Sequence, residues 1–467
     1  MVFSSLFFLC VFLPVVFLAD RLARSVQAKN AILIVASLLF YAYGEPVLVL
    51  LMLASTAFNW LMGRLVGTSQ SPGGRKALVI TAVVVNIGLL GVFKYAGMVV
   101  GTLNSLFGLS LPVPQIPLPL GISFYTFQAL SYVIDVYRGD VDYQSNYPRV
   151  LLYISFFPQL VAGPIVKYHD IAEEMESRHA TIGDVACGLR RFCLGLAKKV
   201  LVANVMAGAA DELYSLGASS IGCMGAWLAA FSYFLQIYFD FSGYSDMAIG
   251  LGRVFGFHFK ENFDHPYASA SIKEFWRRWH MSLSTWLREY LYFPLGGNRK
   301  GRVRAIVNRI IVFLVCGLWH GASWTFVVWG LLHGLFLLLE DVVPVRKLPK
   351  PLGIAYTTLV VMCTFVIFRA DTLTEAGQML AAMFTGAAGG RLASVLVLEQ
   401  LTPQYLATAA VAVLLASSLP NVVSARLEGT RTGTMGALSY ACALGLMFLC
   451  VVSLSSGTYN PFIYFRF

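Results

Sequence analysis

With 467 residues, 58% of them hydrophobic and only 12% charged, the chain carries about half the charged fraction of an ordinary soluble domain. That excludes a soluble globular protein and predicts an all-α, polytopic membrane protein in contact with membrane lipids. The net charge of +10 lies mainly in short loops between apolar blocks, where topology and anionic headgroups account for it, so no nucleic-acid partner is expected.

The apolar residues fall into roughly ten to twelve segments of bilayer-crossing length, starting with "LFFLCVFLPVVFLA". This first block lacks a basic start and a small-residue cleavage site, so it reads as a retained helix rather than a signal peptide. Arg21 and Arg24 follow it and put the N-terminus outside, and Arg426 and Arg431, before the last block, put the C-terminus outside too. No repeat and no long linker interrupts the blocks, which predicts a single membrane domain over 1–467.

Up to about Lys94 the blocks are ordinary spans. Then Pro112, Pro114, Pro117, Pro119 and Gly121 enforce an extended approach, and a helix can start only after them. That helix carries Ser123, Tyr125, Gln128, Tyr132 and Asp135, too many polar groups to face lipid, so it should line a protein interior or a water-filled cavity. "FPQLVAGPI" is broken by Pro158, Gly163 and Pro164, and broken backbone at membrane depth must be buried in protein or face a cavity. Asp240 and Asp246 lie six residues apart in an apolar block. A carboxylate there is either functional or tied to a neighbouring hydroxyl by packing.

"SIKEFWRRWHMSLSTWLREYLYFPLGGNRKGR" reads as a different kind of helix. Trp276, Trp279, Leu283, Trp286, Leu287 and Tyr290 form an apolar aromatic face, and Arg277, His280, Ser284 and Arg288 form a polar stripe. Such a helix should lie at the cytoplasmic interface or line a polar cleft. Eleven of the 34 Lys and Arg residues fall between Arg253 and Arg309. Lipid-headgroup binding explains this basic focus, and so does an anionic, phosphorylated ligand held by Arg277, Arg278 and the glycine-flanked turn of Asn298, Arg299 and Lys300.

In "NRIIVFLVCGLWHGASWTFVVWGLLHG", His320 lies eleven residues beyond Arg309, about 16 Å of helical rise, near the bilayer midplane. The segment is either one long tilted span or two half-length helices meeting at "WHGAS", with His320 at the tip. A buried imidazole is neutral and available as a general base. Cys316, one turn before it, reads as packing. His333 falls on another helical face. The eight cysteines stand singly without CxxC, no HExxH occurs, and no metal is expected.

These residues resemble the membrane-bound O-acyltransferase family, in particular its bacterial branch of alginate O-acetylation and D-alanine transfer subunits. The carrying motifs are "LPLGISFYTFQALSYVIDVYRG", "FPQLVAGPI", "FWRRWHMSLSTWLREYLYFPLGGNRKG" and "CGLWHGASWTFVVWGLLHG", which define a motif-bearing core over 118–334. The resemblance implies re-entrant and interfacial helices around a central tunnel, with His320 as the catalytic histidine and His280 as its upstream polar companion. It also implies acetyl-CoA as donor, no permanently bound cofactor, an inner-membrane location, an SGNH-type periplasmic partner and an exopolysaccharide such as alginate as final acceptor. Trp276, Arg277, Arg278, Ser284, Asn298, Arg299 and Lys300 are the residues expected to bind the donor.

The last ten residues, 458–467, end in "NPFIYFRF". Read alone, this is an aromatic anchor for a membrane interface. The resemblance implies instead that Tyr464 accepts the acyl group. A proton-coupled transporter also suits broken helices and intramembrane carboxylates, but no inverted repeat supports it.

Overall fold

In the computed structural model, described over residues 1–385, 391–419, 433–457, 459–460 and 462–463, apolar runs have become helices. Among the described residues eight helices are long and apolar enough to cross a membrane, and Val26–Ala42 and Pro403–Ala416 are shorter apolar helices. No strand occurs among the described residues. In a bilayer this follows from the need to satisfy every backbone N–H and C=O within the segment itself.

The chain divides into two compact units. The first comprises Met1–Phe192 with Ser245–Lys260. Here the proline-rich approach is irregular up to Leu120 and the helix Ile122–Arg138 starts just after Gly121, whose φ of 72° suits glycine. Ser123, Tyr125, Gln128, Tyr132 and Asp135 are all buried, so this helix faces protein, as its polarity requires. Asp135 is held by His169, Oδ2 to Nδ1 at 3.0 Å. The "FPQL" stretch forms a four-residue helix, Phe157–Leu160, and the irregular backbone after it is buried. Asp246 has a plain structural role in this unit, an ion pair to Arg191 at 2.8 Å.

The second unit comprises Cys193–Tyr244 with Glu261–Phe467, and it contains both histidines of interest. Its centre is a helical hairpin, Arg302–His320 followed by Trp324–Val342. Gly321 is extended, and Ser323 caps the second helix by accepting the Thr325 N–H at 3.3 Å. The hairpin is one of the two forms the sequence allowed, but its arms are not half-length. Nineteen residues each rise about 28 Å, close to the hydrocarbon thickness of a bilayer. Gly317 and Gly330 bring the arms together, because a Cβ on either would strike the other helix's backbone, Phe326 O or Phe313 O. Between helices in lipid, association depends on such close packing rather than on water exclusion.

The tryptophan-rich segment departs from expectation. It is not one helix: Ile272–Arg278 ends at extended Trp279, and Met281–Leu287 starts after His280, whose φ of 44° and ψ of 53° are left-handed. A histidine held there costs about 1–3 kcal/mol. Asn262 stabilises the break: its Oδ1 accepts Ser282 N–H at 3.2 Å and Ser282 Oγ–H at 2.9 Å, and its carbonyl accepts Met281 N–H at 3.0 Å. A side chain from outside the segment therefore caps the second helix. Periodicity within the segment carries no signal of that.

Candidate active site

His320 ends the first arm of the hairpin and is 6% exposed. Aromatic rings enclose it: Trp319 at 5.0 Å, Trp329 at 5.1 Å and Phe368 at 5.3 Å between centroids. The break at Trp279 and His280 puts the second histidine beside it, with ring centroids 6.2 Å apart. Two residues forty positions apart thus form one constellation, which an unbroken helix bearing the polar stripe did not predict.

The tautomer of His280 follows from its partners. Asn262 Oδ1 already accepts from Ser282, so it is an acceptor for His280 Nδ1 as well, at 3.2 Å. Nδ1 therefore carries the hydrogen, and Nε2 keeps its lone pair and has no hydrogen-bond partner among the described residues. His280 is fully buried, and burial pushes its pKa down to about 3, so the ring is neutral. A neutral imidazole with a free lone pair accepts a hydrogen bond or a proton.

Two spaces approach His320. One is a cleft of about 290 Å³ lined by Trp276, Arg277, Ser284 and Arg288, with Lys273 and Arg309 contributing charge and Val312, Phe313, Leu337 and Cys316 an apolar wall. Cys316 lies one helical turn, about 6 Å, before His320. Ser284 Oγ is buried in that wall without a hydrogen-bond partner among the described residues. The other space is a void of about 10 Å³ bounded by His320, Trp279, Trp329, Phe241, Phe365, Phe368, Ile237 and Ile463. It has room for about one water.

The sequence-predicted donor residues divide accordingly. Trp276, Arg277 and Ser284 line the cleft. Arg278 does not, and is paired with Glu274 at 2.8 Å. Asn298, Arg299 and Lys300 are exposed in a turn outside the lining, anchored by Asn308 Nδ2, which donates to Gly297 O at 2.8 Å. Lys273 and Arg309, not foreseen for this role, are joined there by Asp341, which pairs with both. Tyr464 lies outside the described residues. Its neighbour Ile463 does line the void.

His333 has a structural use that the sequence did not reveal. The Trp276 indole N–H donates to His333 Nδ1 at 3.2 Å, so Nε2–H donates to Thr364 Oγ1 at 3.1 Å, and the Thr364 hydroxyl passes its hydrogen to Val361 O at 3.0 Å. This chain fixes the ring of Trp276, which forms part of the cleft wall and touches Trp329 at 5.9 Å. Among the described residues no group of three or more His, Cys, Asp or Glu could hold a metal ion.

A buried histidine pair beside a cationic, apolar-walled cleft suits proton transfer during acyl transfer from an anionic donor. Similarity to known proteins points to acyl transfer as well. The family model for membrane-bound O-acyltransferases matches residues 140–346. The chain is 40% identical to a probable alginate O-acetylase of Azotobacter vinelandii over 505 residues, covering all of both chains. It is 36% identical to a peptidoglycan O-acetyltransferase of Helicobacter pylori over 421 residues, 82% of this chain and 80% of that one. It is 28% identical to a teichoic acid D-alanyltransferase of Streptococcus thermophilus over 288 residues, 53% of this chain and 68% of that one. The chain is a multi-pass membrane protein and an O-acyltransferase, a member of the membrane-bound O-acyltransferase family.

Proposed function

We propose that this chain moves acetyl groups from cytoplasmic acetyl-CoA across a bacterial inner membrane for O-acetylation of an exopolysaccharide such as alginate. The observation that carries the substrate reading is the alignment of the whole chain with a relative named as an alginate O-acetylase. In this reading the donor's phosphates meet Arg277 and Arg288, with Lys273 and Arg309 beside them. Arg278, Asn298, Arg299 and Lys300 serve as outer contacts. The thioester arm follows Val312 and Phe313 toward Cys316 and His320.

His320 takes the proton of the Tyr464 phenol as its oxygen attacks the thioester carbonyl. The new C–O bond forms, the C–S bond breaks, and the proton passes to the departing thiolate. A phenol with a pKa of about 10 needs such a base at neutral pH. Support for Tyr464 is that Ile463, the residue before it, lines the void that His320 also lines. His280 orients the acceptor through its Nε2 lone pair. With both termini in the periplasm, an SGNH-type partner then collects the acetyl group on its serine and delivers it to the polysaccharide. The chain acts as one working domain, with its catalytic core over 118–334 and its acceptor motif over 458–467.

Tyr464→Phe tests the carrier role. Acetyl export and polymer O-acetylation should be lost, and unchanged export would sink the acyl-tyrosine step. The Helicobacter relative favours peptidoglycan as the second reading. Loss of O-acetyl groups from peptidoglycan rather than from exopolysaccharide in a deletion strain would select it.

A further inference from the structure

Asp240, which the sequence marked as costly in an apolar block, forms a buried ion pair that no step above uses. It is 1% exposed, and Lys199, in the π-helical turn Lys198–Ala203, is 2% exposed. Lys199 Nζ lies 2.9 Å from Asp240 Oδ1. Gly243 makes the pair reachable: a Cβ there would meet Gly195 O at 2.7 Å and Lys199 N at 3.2 Å, so only glycine lets the two backbones come this close. A pair desolvated on both sides adds little net stability, because losing hydration offsets the Coulomb attraction. A π-turn at such a pair also points to function rather than to packing alone.

The second carboxylate oxygen supplies that function. Asp240 Oδ2 accepts the backbone N–H of Ile463 at 2.8 Å. Lys199 Nζ also donates to Asn204 Oδ1 at 2.9 Å, and Asn204 Nδ2 donates to Asn460 Oδ1 at 3.2 Å. A further tie runs from the Tyr459 hydroxyl to Asp211 Oδ2 at 2.5 Å, while Arg369 holds Asp211 Oδ1 at 2.7 Å. Phe462 stacks on Tyr244 at 4.8 Å. Three polar contacts, on Tyr459, Asn460 and the Ile463 amide, thus converge on one short segment beside His320.

We propose that Asp240, oriented by Lys199, is a positioning residue whose carboxylate grips the Ile463 amide and fixes the register in which residue 464 meets His320. A carboxylate gripping an N–H makes a hydrogen bond about twice as strong as a neutral one. Because it holds backbone rather than side chain, it sets where the segment stops. The grip stands on the contacts above, and its catalytic consequence rests on Tyr464 being the acceptor.

Ile463→Pro deletes the gripped amide hydrogen and leaves the Lys199–Asp240 pair in place, whereas Ile463→Ala keeps the amide and trims only the side chain. Lys199→Met with Asp240→Leu replaces the pair by apolar residues, an exchange that buried pairs often tolerate. Thiol release from acetyl-CoA by the full-length proteins gives kcat and KM, and hydrogen exchange of the peptide carrying Ile463 reads the grip directly. Misplacement by about 1 Å costs on the order of 100-fold, so kcat should fall by about that much in Ile463→Pro and in the double variant, with donor KM within about twofold. Ile463→Ala should lose about tenfold or less, and the Ile463 amide should exchange at least about tenfold faster in the double variant. Equal losses in Ile463→Pro and Ile463→Ala, or an amide still protected in the double variant, would overturn the proposal. Full kcat in Tyr464→Phe, with exchange at Ile463 still governed by Asp240, would remove the acceptor reading and leave the grip.

Discussion

The two approaches to His320 are built on opposite terms. On one, a cleft of about 290 Å³ is edged by Arg277 and Arg288, both exposed, above a wall of Val312, Phe313 and Leu337. On the other, a void of about 10 Å³ is closed by rings and Ile463, and the charges nearest the Ile463 amide, Asp240 and Lys199, are buried against each other. Open, screened charges suit a large anionic ligand that must arrive and leave, because exposed cations attract without a desolvation cost. A group supplied by the chain itself needs no mouth, and a closed surface keeps water from the activated acyl group. On the proposed function, the asymmetry follows from covalent attachment of the acceptor on one side and its absence for the donor on the other.

The largest effect is expected where the two sides meet. A positioned general base contributes about 10²- to 10⁴-fold, so His320→Ala should lower thiol release by that much while donor affinity, measured by equilibrium binding, stays within about twofold. Retained turnover would remove His320 from the chemistry. Next comes Asn262→Ala, which frees the His280 tautomer and leaves the Ser282 N–H without its acceptor. An unsatisfied buried donor costs about 1–3 kcal/mol, so thermal stability and kcat should fall together.

Acid should act on the same histidine. With its pKa at about 3 in the folded protein and 6.5 as the ordinary value, the unfolded state binds the extra proton between these pH values. Stability contributed by neutral His280 is therefore present above about pH 6.5 and lost as pH falls toward 3. His280→Gln should show a shallower decline over this window in a pH series of unfolding temperatures, and an identical decline would contradict the burial argument.

Smaller effects should separate the sides. Arg277→Ala with Arg288→Ala should raise donor KM about five- to thirtyfold, given roughly 1–2 kcal/mol for charge-assisted contacts at an exposed edge. kcat should hold within about twofold, and the KM difference should shrink in high salt. A change confined to kcat would break the assignment of the cleft to the donor.

Much of this was legible in the sequence, for physical reasons that differ by element. The polar helix after Gly121 had to be buried because lipid cannot solvate Gln128 or Asp135, and it is. The hairpin tip at "WHGAS" was visible in small residues after a histidine, though not the full length of its arms: Arg309 read as the edge of the first arm, whereas the helix already begins at Arg302. Long-range contacts were not legible. Asn262 caps a helix twenty residues away, and no spacing rule reaches that far. The same is true of Asp240, which stood out as a cost in an apolar block while its partners, Lys199 and the Ile463 amide, lay 41 and 223 residues off. Arg288 belonged to the predicted stripe, but only the break at His280 divides that stripe into a cleft-lining set and a histidine beside His320.

Whether the closed side supplies its own acceptor can be read by mass spectrometry of the C-terminal peptide after incubating the purified protein with acetyl-CoA. One added acetyl group on Tyr464 is expected, absent in His320→Ala. Thiol release that proceeds at full rate with Tyr464 never acetylated, even in rapidly quenched samples, would contradict it.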